Sequence, residues 1–118
     1  MAGEVAFVEL GVADPTLART FYAGLFGWTF SPGPGEGGLL ISGLGVAGGL
    51  HGQDPHAQPL VYFRAGDMEA ALRKVRELGG SVESGAPDRA PHLQERLGRF
   101  ALCRDDQGSA FGLHQPPA

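Results

Sequence analysis

The sequence predicts an α+β protein built from two βαβββ modules, and three observations lead there. First, the stretch FVELGVADPTLARTFYAGLFGWTF, residues 7–30, returns in altered form as LVYFRAGDMEAALRKVRELGGSVE, residues 60–83. Setting Asp14 on Asp67 brings Val8 onto Val61, Leu10 onto Phe63, Ala18 onto Ala71, Leu25 onto Leu78 and Gly27 onto Gly80 without a gap, and a repeat this long is architecture. Second, each copy reads as strand then helix, and three further strand-like runs follow it, closing on the matched triplets Gly49, Leu50, His51 and Gly112, Leu113, His114. Third, 118 residues make one domain with room for a single core, so module one (1–55) and module two (56–118) are expected to share it.

In the first copy Ala6, Val8, Leu10 and Val12 alternate with Phe7, Glu9 and Gly11, the period of a strand whose faces meet different surroundings. Asp14 is placed to cap the helix that follows, and Pro15 suits its first position, where no amide hydrogen is needed. Leu17, Ala18, Phe21, Tyr22 and Leu25 form an apolar stripe at helical spacing, and Gly27 stands where a left-handed cap is often required. The second copy repeats these devices with Asp67 as cap, Met68, Ala71, Leu72, Val75 and Leu78 as stripe, and Gly79 as terminator. Glu69, Arg73 and Glu77 stand four apart, a spacing expected to give solvent-side ion pairs.

Trp28 to Phe30 reads as a short strand closed by the turn SPGPGEGG, and Leu39–Ser42 and Val46–His51 as two strands joined at Gly43–Gly45. Residues 52–59 connect the halves, and strands are expected over Leu60–Ala65 and Ser81–Glu83. Residues 84–98, carrying Asp88, Arg89, His92, Glu95 and Arg96, form a loop long enough to be a binding loop or a mobile one. The final runs flank DDQG, a hairpin signal.

A hydrophobic share of 42 % against 19 % charged fits a globular protein, and a net charge of −4 gives no footprint for nucleic acid or an anionic membrane. No apolar run is long enough to span a bilayer and no signal peptide is evident, so a cytoplasmic protein is expected. The lone Cys103 fits a reducing compartment and reads as a small apolar strand residue.

The doubled βαβββ unit, with LGVADPTLARTFYAGLFGWTF early and RDDQGSAFGL late, resembles the vicinal oxygen chelate superfamily: glyoxalases, bleomycin-resistance proteins and extradiol dioxygenases. The resemblance covers nearly the whole chain. It implies a curled mixed sheet around a shared cavity, usually in a homodimer, and the aromatics Phe26, Trp28 and Phe30 after the first helix point to a surface for one. In the family's enzymes a divalent metal is held by side chains of the first and last strands of each module. The matching positions here are Phe7, Gly49, Leu60 and Gly112, and none carries a donor. No metal or other cofactor is therefore expected.

One step further along each strand lies a polar set, Glu9, His51, Tyr62 and His114, with Arg64 beyond it. These residues are read either as polar groups of a ligand pocket, with Glu9 fixing a histidine's tautomer or acting with His114, or as a displaced metal site of Glu9, His51 and His114. The leading expectation is a protein that binds a small organic molecule, with Phe7, Glu9, His51, Leu60, Tyr62, Arg64, Gly112 and His114 at the ligand. The alternative is a metal-dependent lyase, isomerase or dioxygenase.

Overall fold

A computed structural model describes residues 2–33, 37–54, 57–84 and 97–117. His56 and most of the loop expected over 84–98, with Asp88, Arg89, His92, Glu95 and Arg96, lie outside the described residues. The elements are β1 (Val5–Gly11), α1 (Pro15–Phe26), β2 (Thr29–Pro32), β3 (Leu39–Ser42), β4 (Ala47–His51), β5 (Pro59–Arg64), α2 (Met68–Glu77), β6 (Ser81–Ser84), β7 (Arg99–Arg104) and β8 (Ala110–Gln115). The order is βαβββ twice, and parallel and antiparallel ladders make a mixed α+β architecture.

The chain divides into two compact units, Phe7–Leu60 and Val61–Ala118, the latter joined by residues 1–6. The first residues belong there through backbone bonds: Gly3 N–H donates to the Arg64 carbonyl, and Arg64 N–H to that of Glu4.

In the first unit the strand order is β2-β3-β4-β1, with β1 parallel to β4 and the other pairs antiparallel. Its core is Leu10, Ile41 and Leu50, against which Val8, Val12, Ala18, Tyr22, Trp28 and Phe30 pack. The even-numbered residues of β1 thus face the helix, and strand alternation turns Phe7, Glu9 and Gly11 to the opposite face. Asp14 accepts from the amides of Thr16 and Leu17, and Gly27 closes the helix at φ 75°, a left-handed conformation that glycine adopts without a Cβ penalty.

Two expectations for this unit need correction. The apolar stripe of α1 is not all core: Ala18 and Tyr22 meet the sheet, whereas Leu17, Phe21 and Leu25 are 69, 62 and 58 % exposed. A period of 3.6 marks an apolar face without saying how much of it the sheet can reach. Conversely, Phe30 packs on the core rather than at the surface, and Trp28, which the sequence leaves open to core or dimer-interface packing, also packs there, stacking on Tyr22 at 5.2 Å.

The second unit has the order β5-β8-β7-β6, with β5 parallel to β8. Ala65, Met68, Leu72, Ala101, Cys103 and Leu113 form its core, supported by Val75 and Phe111. Helix α2 buries Met68 and Leu72. The charges on its outer face pair differently from the expected four-residue spacing. Arg99 takes Glu69 at 2.6 Å and Lys74 lies 3.8 Å from Glu77, because a cation on a neighbouring strand reaches Glu69 better than one on the same helix. In the final hairpin the Asp105 carboxylate accepts from the amides of Gln107 and Ser109, and these bonds hold it below the usual carboxylate range.

Candidate ligand-binding site

The register of β1 against β4 sets Glu9 opposite Gly49 and Gly11 opposite His51, all on the face turned away from α1. Across this face Glu9 Oε2 lies 2.6 Å from His51 Nδ1, and Asp54, from the connection after β4, places Oδ2 at 3.0 Å from His51 Nε2. A carboxylate only accepts, so both bonds form together when the imidazole is protonated and donates twice. Partial burial pulls the His51 pKa down, but the hydrogen bond and charge of Glu9, then those of Asp54, outweigh it and leave the pKa raised.

Two glycines make the cluster possible. A methyl group at Gly49 would stand 2.8 Å from Glu9 Oε1 and 3.3 Å from Phe7 Cζ. One at Gly11 would stand 2.7 Å from Asp54 Cγ and closer still to Oδ2. Bare backbone at both positions lets the carboxylates reach over the strands to the ring. Asp54 is held in turn by its own amide, which donates to the Val12 carbonyl at 3.1 Å. The His51 side chain remains 46 % exposed although both nitrogens are engaged, so what it offers outward is ring carbon and the π-faces.

In the second unit Tyr62, Gly112 and His114 share the face opposite α2, since Leu113 and Phe111 pack toward the helix. The Tyr62 ring lies directly over Gly112, where a methyl group would stand 2.6 Å from Cγ and nearer to Cδ2 and Cε2. Phe100 meets Tyr62 edge to face at 5.3 Å and stacks on His114 at 4.4 Å. His114 Nε2 donates to the Leu97 carbonyl at 2.6 Å, which fixes that tautomer. Arg64 is exposed at the end of β5, and Leu60 is half-buried near its start.

The sequence-predicted residues therefore gather within each unit. Phe7, Glu9, Gly49 and His51 come together in the first, and Tyr62, Gly112 and His114 in the second. The imidazole on Glu9 is that of His51. Asp54 joins the first group and Phe100 the second. Asp54 sits in a loop whose path no periodicity gives, while Phe100 shares its parity with Leu102 and Arg104 on β7 and was legible from that alternation.

At the positions expected to match the family's metal ligands, Phe7, Gly49, Leu60 and Gly112 carry no donor side chain. The Tyr62 ring occupies the space beside Gly112. Within the first unit His51 has both nitrogens on carboxylates, and within the second His114 Nε2 is on a carbonyl. Among the described residues no cluster of three His, Cys, Asp or Glu side chains is arranged to hold a metal ion. Among them, too, no helix is long and apolar enough to cross a membrane.

Paired βαβββ modules of mixed parallel and antiparallel strands define the α+β class of fold to which this architecture belongs. No family model matches the sequence. The chain is 32 % identical over 132 residues to the anthracycline biosynthesis protein DauV of Streptomyces sp. (strain C5), an alignment covering 94 % of this chain and 46 % of that protein. It is 32 % identical over 124 residues to CFP32 of Mycobacterium bovis, which is named as a candidate glyoxylase, covering 96 % and 46 %. The chain thus spans about half the length of these relatives. Among solved structures it resembles methylmalonyl-CoA epimerase from Mycobacterium tuberculosis, with a TM-score of 0.65, 18 % identity, and 98 % and 89 % of the two chains covered. It also resembles the hypothetical protein BH1468 from Bacillus halodurans, with a TM-score of 0.68, 12 % identity, and 98 % and 96 % covered. At such identities these two likenesses speak for the fold alone. In sequence and in fold the chain is similar to members of the vicinal oxygen chelate, or glyoxalase-like, superfamily.

Proposed function

We propose that the protein binds a small, flat organic molecule on the sheet faces turned away from its helices, and does so without a metal. The observation that carries this reading is the Glu9–His51–Asp54 cluster beside Phe7. It is a polar group held in place from both sides, partly open, next to an aromatic ring and two glycines that keep the floor clear. Convergent polar groups beside apolar walls are what ligand sites are made of. A protonated imidazole whose nitrogens are both spent attracts a ligand through its faces, as cations do with π-systems. Tyr62, Phe100 and His114 offer a second stacking surface of the same kind. Within the second unit Gly112 borders a ligand held on that surface, and Arg64, exposed at the end of β5, meets an anionic substituent. The names of the Streptomyces relatives favour a polycyclic aromatic ligand. The buried Cys103 takes no part: burial raises its thiol pKa, keeping it protonated and inert.

A water-soluble anthraquinone is the probe to titrate, by fluorescence, against wild type, His51→Ala and Phe7→Ala. Saturable binding is expected, weakened about tenfold to a hundredfold by losing the imidazole, the equivalent of roughly 1–3 kcal/mol. An affinity that both variants leave unchanged would move the ligand away from this cluster.

A further inference from the structure

In the second unit a cavity of about 380 Å³ lies at the end of α2, on the helix side of the sheet and so on the face opposite Tyr62, Gly112 and His114. Its walls are apolar: Val75 and Phe111, both half-buried, and Leu78, which is 67 % exposed. Gly80 lines it with bare backbone, because a methyl group there would stand 2.5 Å from the Arg104 carbonyl oxygen and 3.0 Å from Val75 Cγ1. The turn between β7 and β8 supplies the polar edge, Asp105 and Asp106. That turn sits against the helix end, since a methyl group at Gly79 would lie 3.5 Å from Asp106 Cβ.

The charges around this cavity favour a cation. Asp105 stays ionised, because the amides of Gln107 and Ser109 donate to its Oδ1 and hold the carboxyl below its usual range. Among the described residues no cation lies within ion-pair distance of Asp105 or Asp106: Lys74 faces Glu77, Arg104 pairs with Glu83, and Arg76, on the last turn of α2, reaches neither carboxylate. Helix α2 also turns its carbonyl end, the negative end of its dipole, toward the same place. A bare metal ion would gain nothing from Val75, Leu78 and Phe111, and an uncharged hydrocarbon nothing from the two carboxylates. An organic ammonium uses both, with its body on the apolar walls and its charge shared between the carboxylates and the Phe111 ring. The volume suits a small molecule, ligand pockets running from about 300 to 1,000 Å³.

We propose that this cavity is a binding site for an organic ammonium, whose apolar body packs on Val75, Leu78 and Phe111 and whose charged nitrogen sits beside Asp105 and Asp106. Phenethylamine, protonated at neutral pH, is the probe, and phenethyl alcohol is its uncharged match. Each is titrated against the full chain at fixed salt and followed by the amide resonances in NMR. Saturable shifts are expected at Leu78, Gly80, Asp106 and Phe111, with a Kd on the order of 1 mM for so small a ligand. The alcohol should bind about tenfold more weakly or worse. Asp106→Lys, at an exposed turn position, should weaken the amine by about tenfold or more and leave the circular dichroism spectrum unchanged. Leu78→Ser, also at an exposed position, should weaken amine and alcohol alike, because it removes wall and not charge. Amine shifts that never saturate, or that spare the cavity amides, overturn the proposal. So does an alcohol bound as tightly as the amine, and so does an amine affinity that Asp106→Lys leaves unchanged.

Discussion

Replacing Gly112 by alanine is expected to lower the melting temperature by about 4–12 °C, and the magnitude follows from where Tyr62 sits. The added methyl group would stand 2.6 Å from Tyr62 Cγ and nearer to two other ring carbons, far inside van der Waals contact. The ring has little room to yield. It is only 9 % exposed, meets Phe100 edge-on at 5.3 Å, and hangs from a strand whose register places Tyr62 opposite Gly112. Forcing one extra methyl into a packed site costs about 1–3 kcal/mol, and a chain of this length loses about 4 °C per kcal/mol. Gly66→Ala serves as the control, because nothing lies within 4 Å of the methyl group it adds. It should leave the melting temperature within about 3 °C of wild type or raise it slightly. Scanning calorimetry at fixed pH and concentration reads all three proteins. In a Tyr62→Ala background the Gly112→Ala penalty should largely vanish, a non-additivity expected of residues in contact. If Gly112→Ala melts within about 1 °C of wild type, or if the penalty persists without the Tyr62 ring, the seating of that ring over Gly112 is refuted.

The raised His51 pKa carries a sign. A group that binds its proton more tightly when folded stabilises the fold fully below its unfolded value, near 6.5, and loses that contribution as pH rises through the folded pKa. Stability should therefore decline above pH 6.5, and Asp54→Asn, which removes one of the two carboxylates, should make that decline smaller and end it at lower pH; an imidazole resonance of His51 titrating at or below 6.5 by NMR would contradict this. Elemental analysis after dialysis should find no stoichiometric divalent metal. About one zinc, nickel, manganese or iron per chain, lost in Glu9→Ala or His114→Ala, would instead favour the displaced metal site.

Patterns that depend on near neighbours in the chain were legible from the sequence alone. The capping aspartates Asp14 and Asp67, the left-handed Gly27, the strand-period alternation of β1 and the turn at Asp105 to Gly108 each follow from backbone chemistry within a few residues. With the internal repeat, they determined the βαβββ order. Alternation also put Phe7 and Glu9 on one face of β1, and Gly49 and His51 on one face of β4, before any pairing was known.

What tertiary structure alone decided is which of these meet. The Glu9–His51 bond requires the parallel register of β1 on β4, which strands 42 residues apart in sequence do not announce. Asp54 enters because a loop folds back, its amide on the Val12 carbonyl, and because Gly11 leaves space for its carboxylate. The stripe on α1 is likewise divided by contact: the sheet reaches Ala18 and Tyr22 but not Leu17, Phe21 or Leu25. Periodicity reports the chemistry of a face, whereas burial depends on how far the opposing surface extends, and only the folded sheet fixes that extent.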